Sequence, residues 1–245
     1  ASDKMQNDQF HTTNLTQGDP DVAGVSANGW TQRIMEGESI GTFYTYLYAG
    51  TINGRSEYYV LDENGNKTGE TTNNPSIKDR AITGCAQPKL TAGWNNSLSY
   101  KNWNLNAFIT GVFGNDVYDS PRAHYTSAQM FSDGKNVLKE FLSNPAGDAS
   151  GSLPSDRFIE KGTYVRLQSL SLSYTFRNCF NNWIQDLTLY GTANNLLTIT
   201  NYKGLDPEVN LGGIDPGIDY RWSRFPHART FMVGVKINFG DGKKK

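Results

Sequence analysis

Apolar and polar residues alternate with a period of two in five separate segments of the chain. The clearest segment runs from Ser169 to Phe176, where serine and threonine occupy the odd positions and leucine and aromatic residues the even ones. Alternation of this kind is typical of a β-sheet with one apolar face and one wet face. It predicts five strands, at 88–100, 102–113, 162–177, 185–198 and 229–239.

Charged residues are nearly absent from these segments and gather in the connections between them. Asn102–Asn115 and Leu187–Tyr202 contain none, and each is longer than the ~10 residues that a tilted strand needs to cross a bilayer. The polar faces carry Ser, Thr, Asn and Gly instead of the Lys and Glu that usually coat a soluble sandwich. Aromatic residues such as Trp103 and Phe176 stand at strand ends, as they do at membrane interfaces.

The pattern favours an all-β fold of antiparallel strands from a transmembrane β-barrel. Its strands occupy 88–239, with long loops at 114–159 and 199–228 and short turns elsewhere. Outer-membrane barrels have short periplasmic turns and long extracellular loops. We therefore expect the long loops and residues 1–87 outside the cell, and the tail 240–245 in the periplasm. A secreted β-sandwich that binds carbohydrate is the alternative, because it can turn the same apolar face inward.

Local signals predict some regular structure within the loops. Asn64-Gly65 predicts a primed turn in a hairpin over 57–70, and 42–48 is predicted to be one strand or an aromatic loop edge. Asp133 can cap a helix with an apolar stripe formed by Val137, Leu138, Phe141 and Leu142.

Composition excludes several classes of function. Lys and Arg number 23 against 24 Asp and Glu, so the net charge of −1 argues against a nucleic-acid binder. The two cysteines, Cys85 and Cys179, are too few for a disulfide framework. The predicted strand directions place Cys85 at the extracellular end of a strand and Cys179 in a periplasmic turn. Because the membrane then separates the two thiols, we expect no disulfide bond between them.

Seven sequence blocks in a fixed order resemble a known family. They lie between Gly37 and Phe239 and include Tyr100–Leu105, Gly111–Tyr118, Tyr164–Phe176, Asn194–Val209 and Phe225–Val235. Together they are similar to the C-terminal quarter of the SusC/RagA family of TonB-dependent outer-membrane transporters of Bacteroidetes. Cys85 departs from the family pattern, which usually has a small polar residue there, and so does the tail after Phe239.

The resemblance implies a twenty-two-stranded barrel with an N-terminal plug, located in the outer membrane of a Gram-negative bacterium. It implies import of oligosaccharides or oligopeptides, a SusD-like lipoprotein as partner, and energy supplied through TonB. The plug, the TonB contact and most strands belong to segments outside this sequence, so the remainder of the transporter is itself an expected partner, together with membrane lipid.

No catalytic constellation is recognisable, and we expect neither an enzyme nor a cofactor nor a metal site. The three histidines fall in predicted loops, and the chain has no G-x-S-x-G nucleophile motif. Asp62–Asn66 fits a hairpin turn better than a calcium loop, because it lacks the glycine at the sixth place. A solvated loop is the expected setting of the carboxylates Asp206, Glu208, Asp215 and Asp219.

Ligand contact is predicted for aromatic and amphipathic residues of the extracellular loops. The same side chains could instead pack against a neighbouring loop or against the lipoprotein. Strand parity places Lys236 on the lumen side, where a carboxylate of the plug could pair with it. The candidate ligand or partner contacts are Tyr118, Tyr125, Tyr202, Tyr220, Trp222 and Arg224.

Five membrane strands cannot close a barrel by themselves. Open sheet edges do not survive in hydrocarbon, and even the smallest single-chain barrels use about eight strands. We therefore expect this sequence to be one piece of a longer chain or one fragment of a nicked transporter. Backbone groups along 230–239, on the side away from 187–197, should be unpaired in this chain alone or paired with another polypeptide.

Overall fold

The computed structural model describes residues 31–35, 37–126, 128–143, 153–180, 183–209, 211, 216–219 and 225–239. These fall into two compact units. We call them the sheet unit, within Leu90–Phe113, Thr163–Asn201 and Pro226–Lys245, and the loop unit, within Ala1–Lys89, Gly114–Gly162 and Tyr202–Phe225. None of the helices in the described ranges is long and apolar enough to cross a membrane.

Most regular structure is β-strand. The strands are β1 Thr42–Tyr46, β2 Tyr48–Ile52, β3 Arg55–Leu61, β4 Lys67–Thr72, β5 Arg80–Cys85, β6 Leu90–Tyr100, β7 Trp103–Phe113, β8 Asp116–Asp119, β9 Ile159–Lys161, β10 Tyr164–Phe180, β11 Ile184–Thr200, β12 Ile218–Asp219 and β13 Thr230–Phe239. The helices are α1 Ser120–Tyr125, α2 Ala128–Ser132 and α3 Lys139–Ser143, with 3₁₀ turns at Ile77–Asp79 and Asp156–Phe158.

The sheet unit is a five-stranded antiparallel sheet in the order β13-β11-β10-β7-β6. Its strands are the five that the alternation predicts. Both β10 and β11 extend further than expected, to 17 residues each, so their connection is shorter than the predicted strands 162–177 and 185–198 imply. Within the described chain β6 and β13 each pair on one side, and the sheet remains open, as expected for part of a barrel.

The register aligns apolar residues in rows across the whole sheet. One row crosses all five strands and contains Leu98, Leu105, Leu172, Gly191 and Val233. This face is uncovered within the sheet unit, since Trp94 is 61 % and Val233 88 % exposed.

A β-bulge interrupts the period of two in β10. The register shifts between Leu167 and Ser169, so Leu167 lies on the same face as its partners Ile109 and Leu197. On β11 the shift is accommodated at Asn195, which has a positive φ of 52°. Because of the bulge Arg166 joins the polar face, where its Nε donates to Thr198 Oγ1 at 3.0 Å.

The loop unit contains three small sheets around an aromatic core. β1 pairs with β5, β2-β3-β4 form a meander, and β12-β8-β9 form a mixed sheet. The core consists of Phe43, Ala86, Tyr118, Ala123, Phe158 and Ile218. The five strands between Thr42 and Cys85 exceed the hairpin and single strand expected there. Pairing of β1 with β5 spans about forty residues, which local alternation does not reveal.

The hairpin lies where it was predicted, but its turn is of another kind. Gly65 has a φ of 79°, whereas Asn64 is not among the residues with positive φ, which excludes a type I′ turn. The Gly65 N–H donates to the Asp62 carbonyl, and Asp62 N–H to the Asn66 carbonyl. This is a longer hairpin loop with a glycine bulge.

The helix predicted to begin after Asp133 is also displaced. Asp133 follows the end of α2, where Gly134 adopts a φ of 70° and donates its N–H to the Phe131 carbonyl. Lys135 N–H donates to the Met130 carbonyl, which completes a glycine-based helix C-terminus. The helix over the predicted stripe begins only at Lys139.

Candidate contact site in the loop unit

The strand β8 forms the base of the candidate site and is buried along its whole length. The Tyr118 ring lies 6.5 Å from that of Phe43 and 6.3 Å from that of Phe158, in tilted and edge-on arrangements. Burial raises the pKa of the Tyr118 phenol above its ordinary value, so the group stays neutral. Tyr118 is therefore part of the buried aromatic core of the loop unit.

The carboxylate of Asp119 joins β8 to helix α1. Its Oδ1 accepts a hydrogen bond from the Arg122 N–H at 2.8 Å, and Pro121 occupies the first turn, so Asp119 is the N-cap. Parallel pairing places Asp219 of β12 beside it. Burial, with smaller contributions from Asp219 and Glu160, raises the pKa of Asp119 to about 6.

Tyr202 completes this buried acidic group. Its hydroxyl donates to Asp219 Oδ2 at 2.8 Å, and both residues are buried, at 6 % exposure each. Burial is the largest of the causes that raise the pKa of the Tyr202 phenol. The prediction of a solvated carboxylate loop is therefore wrong for Asp219, which lies in the interior and has a hydroxyl partner.

An ion-pair network fixes α1 against α3 and β9. Arg122 Nε lies 2.7 Å from Glu140 Oε2, and Arg122 Nη1 lies 2.7 Å from Glu160 Oε1. Arg157 adds a contact of 3.2 Å to Glu140 Oε1. The hydrogen bond from Arg122 is the main reason that the pKa of Glu140 falls below its usual range. Three segments that are distant in sequence are thereby held together.

A cleft of about 340 Å³ adjoins this network, and Arg122 and Glu140 form part of its lining. Its apolar lining includes Tyr125 and Leu138, and Leu205 is 75 % exposed at its edge. The polar lining includes Lys139 and Lys203, which are both exposed. A cleft with both apolar and charged lining suits the side chains of a docked segment or ligand.

The structure places the predicted contact residues in different settings. Tyr118 and Tyr202 are internal, whereas Tyr125 lines the cleft. Lys236 lies on the polar face of the sheet unit, opposite Thr188. The predictions for Tyr220, Trp222 and Arg224 fall outside the described residues, as does Asp215.

Other polar residues have local structural partners. Asp62 accepts backbone N–H bonds from Asn64 at 2.9 Å and Asn66 at 2.8 Å, and the Asn66 bond is the main cause that lowers its pKa. These bonds agree with a hairpin turn. Asp206 Oδ1 likewise accepts the Glu208 N–H at 3.0 Å. Cys85 is a free thiol, as predicted.

Neither the position of Arg166 on the polar face nor the ion-pair network of the loop unit was predicted from the sequence. The network is formed by Arg122, Glu140, Arg157 and Glu160. The Asp119-Ser-Pro sequence is an N-terminal helix signal that could have located α1. No local pattern could have paired Arg122 with partners 18 and 38 positions away.

Comparison with known proteins assigns a class to this architecture. No protein-family model matches the chain. A TonB-dependent receptor of Formosa agariphila is 30 % identical over 85 % of this chain and 23 % of its own length. TonB-dependent receptor SusC of Bacteroides thetaiotaomicron is 27 % identical over 93 % of this chain and 23 % of its own length.

A solved structure of the RagAB peptide transporter has the same fold. It superposes with a TM-score of 0.64 over 85 % of this chain and 26 % of that chain, at 23 % identity. The chain is thus a homologue of TonB-dependent receptors of the SusC/RagA class, and its sheet is part of their β-barrel fold. It spans about a quarter of the length of these relatives.

Proposed function

We propose that the chain forms the last five strands and the associated loops of a TonB-dependent importer in the outer membrane. The observation that carries the proposal is the five-stranded sheet, with one apolar face and one face that carries mainly Ser, Thr and Asn. Such a sheet suits a wall between lipid and a wet lumen. The named relatives favour this function over a secreted carbohydrate-binding sandwich.

In this proposal the two ends of the sheet lie on opposite sides of the membrane. The β6–β7 and β10–β11 connections are short and belong to the periplasmic end. The loop unit contains the long connections and belongs to the extracellular side. Its cleft, with Tyr125 and Leu205 at the surface, then contacts either the imported ligand or a SusD-like lipoprotein.

The cargo is proposed to be an oligosaccharide or an oligopeptide. The solved relative is a peptide transporter by name, and the remaining relatives are named as receptors without a substrate. On the lumen side, exposed Lys236 provides positive charge on the polar face, where a carboxylate of the plug or of a peptide can approach.

Cysteine labelling in whole cells tests the orientation. A Lys203→Cys variant of the complete receptor should react with a membrane-impermeant maleimide in intact cells. The matched Lys101→Cys variant, in the β6–β7 turn, should react only after the outer membrane is permeabilised. Labelling of Lys101→Cys but not Lys203→Cys in intact cells would reverse the proposed orientation.

Uptake distinguishes the two cargo classes. Cells that depend on the receptor are supplied with either a pool of oligopeptides or a pool of oligosaccharides as the limiting nutrient. A requirement for the receptor on one pool and not on the other identifies the class. Equal growth of the deletion strain and the parent on both pools would contradict the importer assignment.

A further inference from the structure

Gly191 leaves a gap in the apolar face. It stands in the row between Leu172 of β10 and Val233 of β13, where every other row member has an apolar side chain. The backbone does not require glycine here, because its φ is outside the left-handed region. A Cβ on Gly191 would meet only the Met232 carbonyl oxygen, at 3.9 Å, so the space above it is open.

The gap continues into a groove of about 640 Å³, which is within the size range of small-molecule sites. Leu172, Leu189 and Val233 line it on either side of Gly191. Aromatic rings line one end and stack edge-on, with centroids 4.8 Å and 4.5 Å apart. These rings are Trp103, Tyr174 and Phe176.

A positive charge lies at the aromatic end. Lys101 occupies the turn between Tyr100 and Trp103, and its Nζ lies 5.3 Å from the centre of the Tyr100 ring. This four-residue turn contains no acidic residue to neutralise the ammonium group. Aromatic rings beside a lysine are the usual arrangement at the level of lipid headgroups.

We propose that this groove binds one acyl chain of an anionic phospholipid, with the phosphate at Lys101. The inference rests on the proposed membrane location, since it requires the apolar face to meet lipid. Because Gly191 has no side chain, the groove is open to an apolar acyl chain. The positive charge of Lys101 complements the negative phosphate of the headgroup. The proposed orientation places the aromatic end of the groove in the periplasmic leaflet of the outer membrane.

Native mass spectrometry of the complete receptor tests the groove. The receptor is purified in a mild detergent and titrated with dioleoylphosphatidylglycerol. Gly191→Leu fills the gap and should weaken binding of one phospholipid at least tenfold. The matched control Ala92→Leu adds the same side chain on the same face at an exposed position outside the groove, and should bind as the parent does.

Lys101→Gln tests the headgroup contact. The parent should prefer dioleoylphosphatidylglycerol over dioleoylphosphatidylcholine, and Lys101→Gln should lose most of that preference while retaining Gly191-dependent binding. Equal preference in the parent and in Lys101→Gln would overturn the assignment of an anionic lipid.

Two controls separate this inference from the proposed function. Heat-modifiable gel mobility confirms that each variant is folded. A receptor that stays monodisperse without detergent contradicts the membrane location itself. A receptor that needs detergent, but in which Gly191→Leu and Ala92→Leu bind phospholipid equally, overturns only the groove.

Discussion

Arginine placed on the apolar face should destabilise the receptor. Leu172 is the middle residue of β10, and it lies in the row between Leu105 and Gly191. If this face meets lipid, Leu172→Arg brings a guanidinium group into the hydrocarbon, where the cost in a transmembrane barrel is about 2–4 kcal/mol at the midplane and falls towards the interfaces. That free energy corresponds to a roughly 30- to 700-fold change in the folding equilibrium.

Ser171→Arg is the matched control, because it puts the same side chain on the neighbouring residue and the opposite face. Ser171 Oγ accepts a hydrogen bond from Thr192 Oγ1 at 3.3 Å, so its loss costs only about 1 kcal/mol. Reversible urea unfolding of the complete receptor in lipid vesicles measures both. A larger loss for Ser171→Arg than for Leu172→Arg would show that the lipid and lumen faces are assigned the wrong way round.

Further predictions concern the loop unit. The folded pKa of Asp119 is raised to about 6 from an ordinary 3.8, so the folded state binds more protons between these values and its stability should fall as pH rises from 4 to 7, by up to about 3 kcal/mol. Hydrogen exchange of peptides from α1 should show this fall, and Asp119→Asn, which keeps an N-cap side chain, should abolish it. If the slope persists in Asp119→Asn, another group is responsible. Arg122→Ala removes the arginine contact of Glu160 and leaves Glu140 with Arg157, so it should raise exchange in α3 and β9, at a cost of about 3 kcal/mol. Exposed Lys135→Ala should change little, and equal exchange in the two variants would exclude a stabilising network. Peptides that contain Cys85 and Cys179 should both be alkylated by iodoacetamide in denaturant without reductant, and protection of both would contradict free thiols.

The sheet unit was predictable because the sequence of each strand shows the alternation of apolar and polar residues by itself. Alternation over about ten residues reports which face is apolar, and the lengths of the connections report which strands are neighbours. The bulge near Leu167 and Ser169 was not predicted, since it arises from how β10 aligns with β7 and β11. Extension of β10 and β11 past the expected ends also depends on their mutual pairing.

The loop unit was less predictable, because its structure depends on contacts between distant segments. Burial of Tyr118 requires Phe43 and Phe158, which lie 75 and 40 residues away. An aromatic residue in a polar loop suggests ligand contact equally well, and the sequence offers no way to distinguish the two. Asp133 and Gly134 show the same limitation locally: an N-cap signal was present, but the glycine ended the preceding helix instead.

Accessibility of spin labels along β13 tests the central claim that one face of this sheet meets lipid. Single cysteines at positions 231–236 of the complete receptor in bilayers are spin-labelled, and collision with oxygen is compared with collision with a polar nickel complex. Lipid contact on one face predicts a period of two, with oxygen favoured at Phe231, Val233 and Val235 and the nickel complex favoured at Met232, Gly234 and Lys236. Uniform accessibility, or the opposite phase, would contradict it.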